Sequence, residues 1–447
     1  MAKDKVSYVC RACGAASPTW SGKCFGCGEW NTLEEQVVAS LTVGSTKAAG
    51  TQLEPEQVVS AVKHDATRMK TTLHDVDVVL GGGIVPGSVV LMAGEPGIGK
   101  STLLLQIANA VAAKNDVLYV SGEESVHQVS LRAERLAAKN TQLGLAASGT
   151  VEDIVATIMQ GTHQLVIVDS IQTIASKSLT SSAGSVSQIT SCTHMLMHAA
   201  KQSDTALLIV GHVTKEGSIA GPKILEHIVD VVLQLEGDRY GGFKVLRSIK
   251  NRFGSTNEVA ILEMQEAGLM PVSNPSEALL AERQVTDGSV VLATMEGSRP
   301  VLVEVQALVN RTSYGYPKRA ASGIDLNRLN LLVAMLERRT KLKLADQDIY
   351  VNIVGGIRIN EPASDLALCM AIGSAAKGLQ LKQNAVVFGE VGLSGEVRHV
   401  PYVERRIAEA KKLGFEAAVG PRTKGKKDSF LYPVKDVRTA LNSFLEG

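Results

Sequence analysis

Residues 94–101 read Gly-Glu-Pro-Gly-Ile-Gly-Lys-Ser, and this stretch decides the fold. It has the spacing G-x-x-x-x-G-K-[ST], follows an apolar run at residues 89–93 and precedes a helical pattern at residues 103–113. In such a loop glycines let backbone N–H groups close around phosphates, the lysine neutralises β/γ oxygens, and the serine hydroxyl reaches Mg²⁺. The strand–loop–helix context disfavours a chance glycine turn, so we expect a site for ATP. The candidate ATP-binding residues of this loop are Gly94, Glu95, Pro96, Gly97, Ile98, Gly99, Lys100, Ser101 and Thr102.

The composition fits a globular protein of several domains. At 447 residues the chain is long enough for about three domains, and 45% of its residues are hydrophobic. The most apolar stretches are short and strand-like, and the N-terminus carries charged residues and cysteines where a signal peptide needs an apolar run. We therefore expect no membrane segment and a cytoplasmic location. Residues 271–447 carry 24 Lys and Arg against 19 Asp and Glu, which permits a polyanionic partner.

Four of the six cysteines lie within the first 27 residues, as two C-x-x-C pairs separated by ten residues. Each pair can bind one tetrahedral metal, and neighbouring glycines allow the tight turns that aim backbone N–H groups at the thiolates. Four thiolates leave no open coordination position, so we expect a structural Zn²⁺ in a C4 knuckle over residues 1–33. Disulfides are the alternative, and a reducing cytoplasm disfavours them. The candidate ligands are Cys10, Cys13, Cys24 and Cys27.

Residues 34–65 lack a clear period and contain Ser, Thr, Gly, Glu and Gln, which indicates a linker. An ATPase core is predicted at residues 66–270. Within it, strand-like runs at residues 117–120, 165–168 and 207–210 alternate with helical stretches. This rhythm predicts an α/β fold in which helices flank a parallel sheet.

Two strands of this core end in carboxylates. The run Leu-Val-Ile-Val before Asp169 is typical of the second metal-side strand of phosphate-loop enzymes, so we expect Asp169 and Ser101 to hold Mg²⁺. The other strand ends at Glu123 and Glu124, where one carboxylate can polarise the attacking water. We assign that role to Glu123. The helix dipole explains an acid at the start of the following helix, and this reading suits Glu124 better.

The order of these motifs, with Leu-Gly-Gly-Gly at residues 80–83 before the phosphate loop, resembles the RecA-like recombinase and ring-helicase ATPases. The pentapeptide Lys-Asn-Arg-Phe-Gly at residues 250–254 follows a zinc knuckle and a RecA-like core. It resembles the signature of the bacterial recombination and repair family RadA, also called Sms. The resemblance covers essentially the whole chain and is most specific at the cysteines, the phosphate loop and the pentapeptide.

This resemblance implies roles for three further residues. Lys250 and Arg252, two apart on an extended segment, point the same way, and the matching segment in RecA-like rings faces the nucleotide of the next subunit. They are therefore expected to act in trans in a hexameric ring, where arginine stabilises the charge of phosphoryl transfer. From residue types alone, an exposed basic turn is the alternative. His212 ends a strand where the superfamily places a γ-phosphate sensor, although a histidine there is often a hydrogen-bonded strand cap.

RecA-like proteins also place DNA-facing loops in the region after His212. Lys215 and Lys223 lie in a glycine-bearing loop there and are candidates for contacts to DNA phosphates, which carry affinity without sequence preference. Two lysines in a loop are commonly just solvated. Aromatic residues do not interleave with them, so the sequence offers no case for base stacking.

Residues 271–447 resemble the C-terminal domain of the Lon protease family, through Asn-Glu-Pro-Ala-Ser-Asp at residues 360–365 and Gly-Leu-Ser-Gly-Glu-Val at residues 392–397. A Lon-type protease needs a serine nucleophile and a lysine that draws off its proton. Alignment on the shared motifs puts Ala363 and Glu404 at those positions, so we expect oligomerisation rather than peptidase activity. The candidate DNA contacts of this domain, which a solvated basic face explains nearly as well, are Arg405, Arg406, Lys411, Lys412, Arg422, Lys424, Lys426 and Lys427.

Three functions are compatible with these features. The first is a DNA-dependent ATPase and helicase of the RadA type, which moves along single-stranded DNA as a ring and drives branch migration of recombination intermediates. Branched DNA and recombination proteins such as a RecA recombinase are its implied partners. The second is an ATP-dependent protease or unfoldase, which Ala363 and Glu404 disfavour. The third is a signalling ATPase whose ring serves as a binding platform. We expect the first.

Overall fold

The computed structural model describes residues 5–10, 15–17, 19–38, 68–212, 222–237, 243–313, 315–382, 384–423 and 428–446. The chain divides into two compact units. The first comprises Met1–Gln234, Ile249–Gly254 and Glu266–Gly268, and the second Leu235–Ser248, Ser255–Gln265 and Leu269–Gly447. Among the described residues, helices long and apolar enough to cross a bilayer are absent.

The N-terminal part is a small antiparallel sheet. Its strands are β1 (Lys5–Cys10), β2 (Ala16–Ser17) and β3 (Leu33–Val38), in the order β2-β1-β3. The sheet corrects the predicted start of the linker at residue 34, because residues 34–38 pair one by one with β1. The rest of that linker lies outside the described residues. The described core of this part consists of Cys10, Cys24 and Leu33, which is too small to hold a fold without a metal.

The phosphate-loop part of the chain forms a nine-stranded sheet in the order β12-β11-β10-β9-β4-β8-β7-β5-β6. Its strands are β4 (Val89–Gly94), β5 (Val117–Ser121), β6 (Leu143–Ala147), β7 (Leu165–Asp169), β8 (Ala206–His212), β9 (Val231–Gly237), β10 (Phe243–Asn251), β11 (Val259–Gln265) and β12 (Gly268–Pro271). The helices are α1 (His74–Val79), α2 (Lys100–Val111), α3 (Val126–Arg135), α4 (Val151–Ile158), α5 (Val186–Gln202) and α6 (Pro222–Ile228).

The predicted α/β fold with a parallel sheet is confirmed in the centre of this sheet. Neighbouring strands from β4 through β8, β7, β5 and β6 all run parallel. Each position of β4, β5 and β7 is buried, which is the pattern of strands covered on both faces. The β10 and β11 pair is antiparallel.

The pentapeptide at residues 250–254 and the glycine-rich segment at residues 80–83 are in contact. Asn251 Nδ2 donates to the carbonyl of Val79 at 3.1 Å, and a guanidinium nitrogen of Arg68 donates to the carbonyl of Phe253 at 3.2 Å. A Cβ on Gly254 would lie 2.6 Å from the Cα of Gly81, so the backbones approach too closely for a side chain. The pentapeptide therefore packs directly on the glycine-rich segment that precedes β4.

The second unit contains a seven-stranded sheet in the order β15-β16-β14-β13-β18-β21-β22. The elements of this part are α7 (Pro275–Leu280), β13 (Ser289–Glu296), β14 (Arg299–Arg311), β15 (Arg319–Ser322), α8 (Leu326–Thr340), β16 (Gln347–Ile353), α9 (Asp365–Lys377), β17 (Gln380–Leu381), β18 (Ala385–Val387), β19 (Glu390–Val391), β20 (Val397–Arg398), α10 (Val403–Lys412), β21 (Ala417–Gly420), β22 (Leu431–Pro433), α11 (Val437–Phe444) and β23 (Leu445–Glu446). Helix α9 is its centre, with residues 365–374 all buried.

Candidate ATPase site and zinc ribbon

The register of the parallel strands gathers the predicted ATPase residues at one edge of the sheet. Gly94 at the end of β4 lies opposite His212 at the end of β8. Asp169 at the end of β7 lies opposite Ser121 at the end of β5, and Glu123 follows two residues later. Because all four strands run parallel, their carboxyl ends form one edge, which is where ligands bind in open α/β sheets.

The phosphate loop joins β4 to α2 at this edge. Gly97 and Gly99 adopt φ values of 79° and 113°, which side-chain-bearing residues rarely reach. Lys100 is 4% exposed, and its Nζ donates to the carbonyls of Gly94 at 2.8 Å and Glu95 at 2.9 Å. Burial lowers the pKa of Lys100 to about 8, although the negative charges of Asp169, Glu123 and Glu95 oppose the shift. A buried cation among acids, beside backbone N–H groups at a helix start, suits phosphate oxygens.

The two acids of the site are held by hydroxyl groups. The Tyr119 hydroxyl donates to Asp169 Oδ2 at 2.5 Å, and the Ser170 hydroxyl donates to Glu123 Oε1 at 2.6 Å. Burial, followed by the charge of Asp169, raises the pKa of Tyr119, so its phenol stays protonated as a donor. The peptide bond between Asp169 and Ser170 is cis. Asp169 is 8% exposed, so its carboxylate is presented at the strand end with one oxygen already oriented.

Glu123 and Glu124 diverge although they are adjacent in the chain. The carboxylate of Glu123 meets Ser170, whereas that of Glu124 forms an ion pair with Arg132 of α3 at 2.6 Å. Both backbone N–H groups donate to the hydroxyl of Ser121, which fixes the turn after β5. The geometry thus directs one acid toward Asp169 and Lys100 and the other toward the helix.

Two positioning groups of this site, Tyr119 and Ser170, were not predicted from the sequence. Tyr119 is the one aromatic residue within an otherwise aliphatic run, Val-Leu-Tyr-Val, and a hydroxyl in such a buried strand needs a partner. That requirement is a sequence signal that Tyr119 has a polar partner at the strand end. For Ser170 the sequence offers one signal, its position directly after Asp169. It does not reveal that the Ser170 hydroxyl turns toward Glu123.

The N-terminal cysteines form a second cluster. The sulfur atoms of Cys10, Cys24 and Cys27 all lie within 4.8 Å of one another, and those of Cys10 and Cys27 are 3.7 Å apart. Two thiolates on one tetrahedral Zn²⁺, at bonds of about 2.3 Å, lie about 3.8 Å apart, so the geometry fits zinc. The Gly26 N–H donates to the sulfur of Cys24 at 3.3 Å, as expected of a knuckle turn. The fourth predicted ligand, Cys13, lies outside the described residues.

Lys250 and Arg252 lie at the opposite edge of the sheet from the phosphate loop. Lys250 Nζ donates to the carbonyls of Glu226 at 2.6 Å and Val229 at 2.7 Å, at the end of α6. Arg252 is half exposed and pairs with Asp230 at 3.0 Å. Asp230 is also tied to Val89, whose N–H donates to its carboxylate at 3.1 Å. Both cations therefore reach the same turn, beside the start of β4.

Comparisons with known proteins place these features in a family. Residues 54–218 match the family model described as AAA domain, residues 8–35 that of the rubredoxin metal binding domain, and residues 330–424 that of subunit ChlI of Mg-chelatase. The DNA repair protein RadA of Bacillus subtilis is 48% identical over 427 residues, covering 94% of this chain and 93% of that protein. The chain belongs to the RadA family.

Two further RadA proteins match over nearly the full length of the chain. The RadA protein of Rickettsia bellii is 45% identical, and the match covers 99% of this chain and 100% of that protein. The RadA protein of Aquifex aeolicus is 46% identical, and the match covers 99% of both chains. A crystal structure of the RadB recombinase covers 46% of the chain with 20% identity and a TM-score of 0.38. The resemblance to RadA is confirmed, and the AAA match over the phosphate loop makes this family member an ATP-binding ATPase with a zinc ribbon.

Three predicted residues of this RadA family member are described only in part or not at all. His212 is described by its backbone, as the last residue of β8. Lys215 lies outside the described residues. Lys223 is described only as a backbone position of α6.

The Lon-like part of the chain contains a buried alanine at the place predicted for the nucleophile. Ala363 is 1% exposed, and the neighbouring Ser364 donates its hydroxyl to the carbonyl of Glu361 at 2.8 Å. Glu404 lies in the first turn of α10. This region carries no serine–lysine pair at the aligned positions.

One member of the predicted basic face is not on the surface. Arg406 is fully buried, forms an ion pair with Glu361 and donates to the carbonyl of Ala293 at 2.5 Å. A buried arginine with these partners cannot contact DNA, because α10 packs its inner face on the sheet and amphipathic spacing places Arg406 there. Lys411 is paired with Asp428 at 2.8 Å. The members Lys424, Lys426 and Lys427 lie outside the described residues.

Proposed function

We propose that this protein is a DNA-dependent ATPase that moves along single-stranded DNA as a ring and drives branch migration of recombination intermediates. The observation that carries the proposal is the convergence of Lys100, Glu123 and Asp169 at one sheet edge, with Lys250 and Arg252 at the other. The relatives are named DNA repair proteins, and we extend that role to this chain.

At the carboxyl edge, each residue has a separate task in ATP hydrolysis. The phosphate loop binds the triphosphate through its N–H groups, and Lys100 neutralises the β/γ oxygens. Asp169, oriented by Tyr119, and the Ser101 hydroxyl are the residues that would hold Mg²⁺, which neutralises the charge that develops during phosphoryl transfer. Glu123 orients and deprotonates the attacking water, and the Ser170 hydroxyl holds its carboxylate in place.

The position of Arg252 supports action on a neighbouring subunit. Its partner Asp230 exchanges backbone and side-chain hydrogen bonds with Val89, the first residue of β4, while the phosphate loop begins at Gly94. Five residues of extended strand span about 17 Å, which an arginine side chain cannot bridge. Arg252 therefore cannot touch the nucleotide of its own subunit. A closed ring, which we propose is hexameric, brings it to the next one.

The DNA partner is proposed from the family and from charge. Lys215 and Lys223 are the candidate contacts to the DNA backbone, so affinity is expected to fall steeply with salt and to depend little on sequence. Branched DNA and a RecA recombinase are proposed as the further partners. Peptidase activity is not expected, because Ala363 cannot act as a nucleophile and Glu404 cannot act as the required lysine.

The deciding experiment is steady-state ATP hydrolysis by the zinc-loaded protein, with and without single-stranded DNA at fixed salt. A rise with DNA that disappears in Lys100→Ala supports a DNA-coupled motor. Equal rates with and without DNA would favour the signalling-platform ATPase instead. Activity that persists in Lys100→Ala would come from a contaminant, and a peptide-cleavage assay tests the protease alternative directly.

A further inference from the structure

A pocket with a volume of about 520 Å³ opens in the second unit, away from the residues that correspond to the Lon catalytic site. Strands β13, β18 and β21 run parallel, and the pocket lies where they begin, at Ser289, Asn384 and Phe415. The buried Ala363 lies at the other ends of these strands, where its carbonyl accepts from Gly389 N–H beyond β18 at 2.7 Å. The pocket is thus separate from the positions that correspond to the Lon catalytic residues.

The pocket has a largely apolar lining. Leu280 at the end of α7, Leu381 in β17, and Leu413 and Phe415 after α10 contribute aliphatic and aromatic surface. Val285 stands in the loop before β13 and is 62% exposed. A volume of this size with such a lining is typical of small-molecule sites, where a few polar groups set the orientation of the ligand.

Arg283 supplies the polar group, and its hydrogen bonding is incomplete. Its Nε is buried without a hydrogen-bond partner among the described residues, and its Nη1 reaches only Asn384 Oδ1, at 3.4 Å. The nearby Glu304 is engaged elsewhere, by the Ser289 hydroxyl at 2.5 Å and Gln306 at 3.2 Å. Burial lowers the pKa of Arg283, and the negative charge of Glu304 offsets this shift only in part. A buried donor of a charged group that lacks a partner is costly, and an anion would relieve that cost.

We propose that this pocket binds a small organic anion, in which an apolar body contacts the leucine and phenylalanine side chains and one terminal anionic group pairs with Arg283. Lys382, exposed at the rim, adds a second cation. Glu277 also lines the rim, but its carboxylate already accepts from Asn274 at 2.8 Å. Two cations around an apolar cavity match one compact anionic group, whereas a DNA backbone needs a row of cations along an open groove.

The test uses the full-length protein and the fluorescent probe 1-anilinonaphthalene-8-sulfonate, an apolar body with one sulfonate. Octanoate and its neutral counterpart octanamide compete for the bound probe. We expect octanoate to displace the probe at a concentration about tenfold lower than octanamide needs, or lower still. A hydrogen bond to a charged group favours the anion by about that factor or more. In Arg283→Gln most of this difference should disappear, because Lys382 alone remains as a cation at the described rim. In the matched control Arg311→Gln, a residue whose side chain is 85% exposed, the difference should persist.

A second variant protects the test against misfolding of Arg283→Gln. Val285→Trp adds bulk at an exposed position of the pocket mouth, so the fold should be retained while competition by octanoate weakens. Equal competition by octanoate and octanamide in the unmodified protein would overturn the proposal. So would an Arg283→Gln protein that behaves like Arg311→Gln. Salt-sensitive displacement of the probe by a single-stranded oligonucleotide, lost in Arg283→Gln, would make these cations a DNA contact and would also overturn it.

Discussion

At the scale of single residues, neighbouring acids are distinguished by their partners. Glu123 accepts from Ser170 and lies near Lys100, whereas Glu124 is paired with Arg132. Residue type and position along the chain are almost the same for both. These partners direct Glu123, rather than Glu124, toward Asp169 and Lys100, which supports the proposed role of Glu123 in activating water.

Glu123→Gln is expected to lower kcat for ATP hydrolysis about a hundredfold or more, because the amide cannot accept the proton of the attacking water. ATP binding should persist, since the phosphate loop is untouched. Glu124→Gln is the matched control and should leave kcat nearly unchanged. Single-turnover hydrolysis together with nucleotide binding measures both effects, and a Glu124→Gln protein as slow as Glu123→Gln would contradict the assignment.

The pKa of Lys100 predicts a pH dependence of ATP binding. The charged form binds phosphate, and the pKa of about 8 means that this form is lost as the pH rises through 8. From pH 7 to pH 9 the affinity for ATP should therefore fall about tenfold. The measurement is titration with a fluorescent ATP analogue. Lys100→Arg, whose guanidinium stays charged, should bind more weakly but with little dependence on pH; the same slope in both proteins would assign the titration to another group.

At the scale of elements, the zinc ribbon depends on its metal more than on its core. Its described hydrophobic core contains Cys10, Cys24 and Leu33, and two of these three residues are candidate metal ligands. A sheet of three short strands with so little apolar burial is not stable by itself. The strands β1 and β3 pair over six residues, so loss of the metal should release both together.

Zinc removal is expected to unfold the ribbon and leave the ATPase core folded. The two tryptophans of the chain, Trp20 and Trp30, both lie in the ribbon, so their fluorescence anisotropy reports on this element alone. A chelator should release one zinc ion per chain and lower the anisotropy, and added zinc should restore it. Cys24→Ser should bind zinc poorly, whereas Cys192→Ala, at a buried position in the ATPase core, should retain it. Full zinc content in Cys24→Ser would refute this interpretation of the cysteines.

At the scale of the whole molecule, the two edges of the nine-stranded sheet carry complementary halves of one proposed active site. The phosphate loop with Glu123 and Asp169 lies at one edge, and Arg252 lies at the other. A single subunit cannot join the halves across about 17 Å of strand. A closed ring of subunits can, because each head-to-tail interface places one surface of a subunit against a different surface of the next.

This arrangement predicts complementation between inactive subunits. Lys100→Ala should lack ATP hydrolysis, and Arg252→Ala should bind nucleotide but fail to hydrolyse it efficiently or move DNA. In a random equimolar mixture, up to about a quarter of the interfaces would combine an intact loop with an intact arginine, so activity should return. Mixing the two proteins under conditions that allow subunit exchange, and measuring DNA-stimulated hydrolysis, tests this.

The matched control for Arg252→Ala is Lys201→Ala. Lys201 also pairs with Asp230, at 3.4 Å, so its removal disturbs the same carboxylate without removing Arg252. This variant should hydrolyse ATP at close to the normal rate. If Arg252→Ala migrates DNA branches normally, or if the mixture stays inactive, action in trans is wrong.

The local sequence alone determined the phosphate loop, the α/β class, the family and the zinc-binding pairs. Each of these depends on residue types at fixed spacing within a few turns or strands, where the geometry follows from the chain itself. The same holds for Ala363, because a methyl side chain cannot act as a nucleophile in any fold.

Only the tertiary structure decided which groups meet. The bond from Tyr119 to Asp169 joins residues 50 positions apart, and the burial of Arg406 depends on how α10 packs against Ala293 and Glu361. The basic cluster predicted a surface position for Arg406, because such a cluster has the same sequence pattern whether or not one member turns inward. The residues of the pocket around Arg283 lie up to 138 positions apart, from Glu277 to Phe415. Such long-range neighbours follow from sheet order and helix packing, which local spacing does not encode.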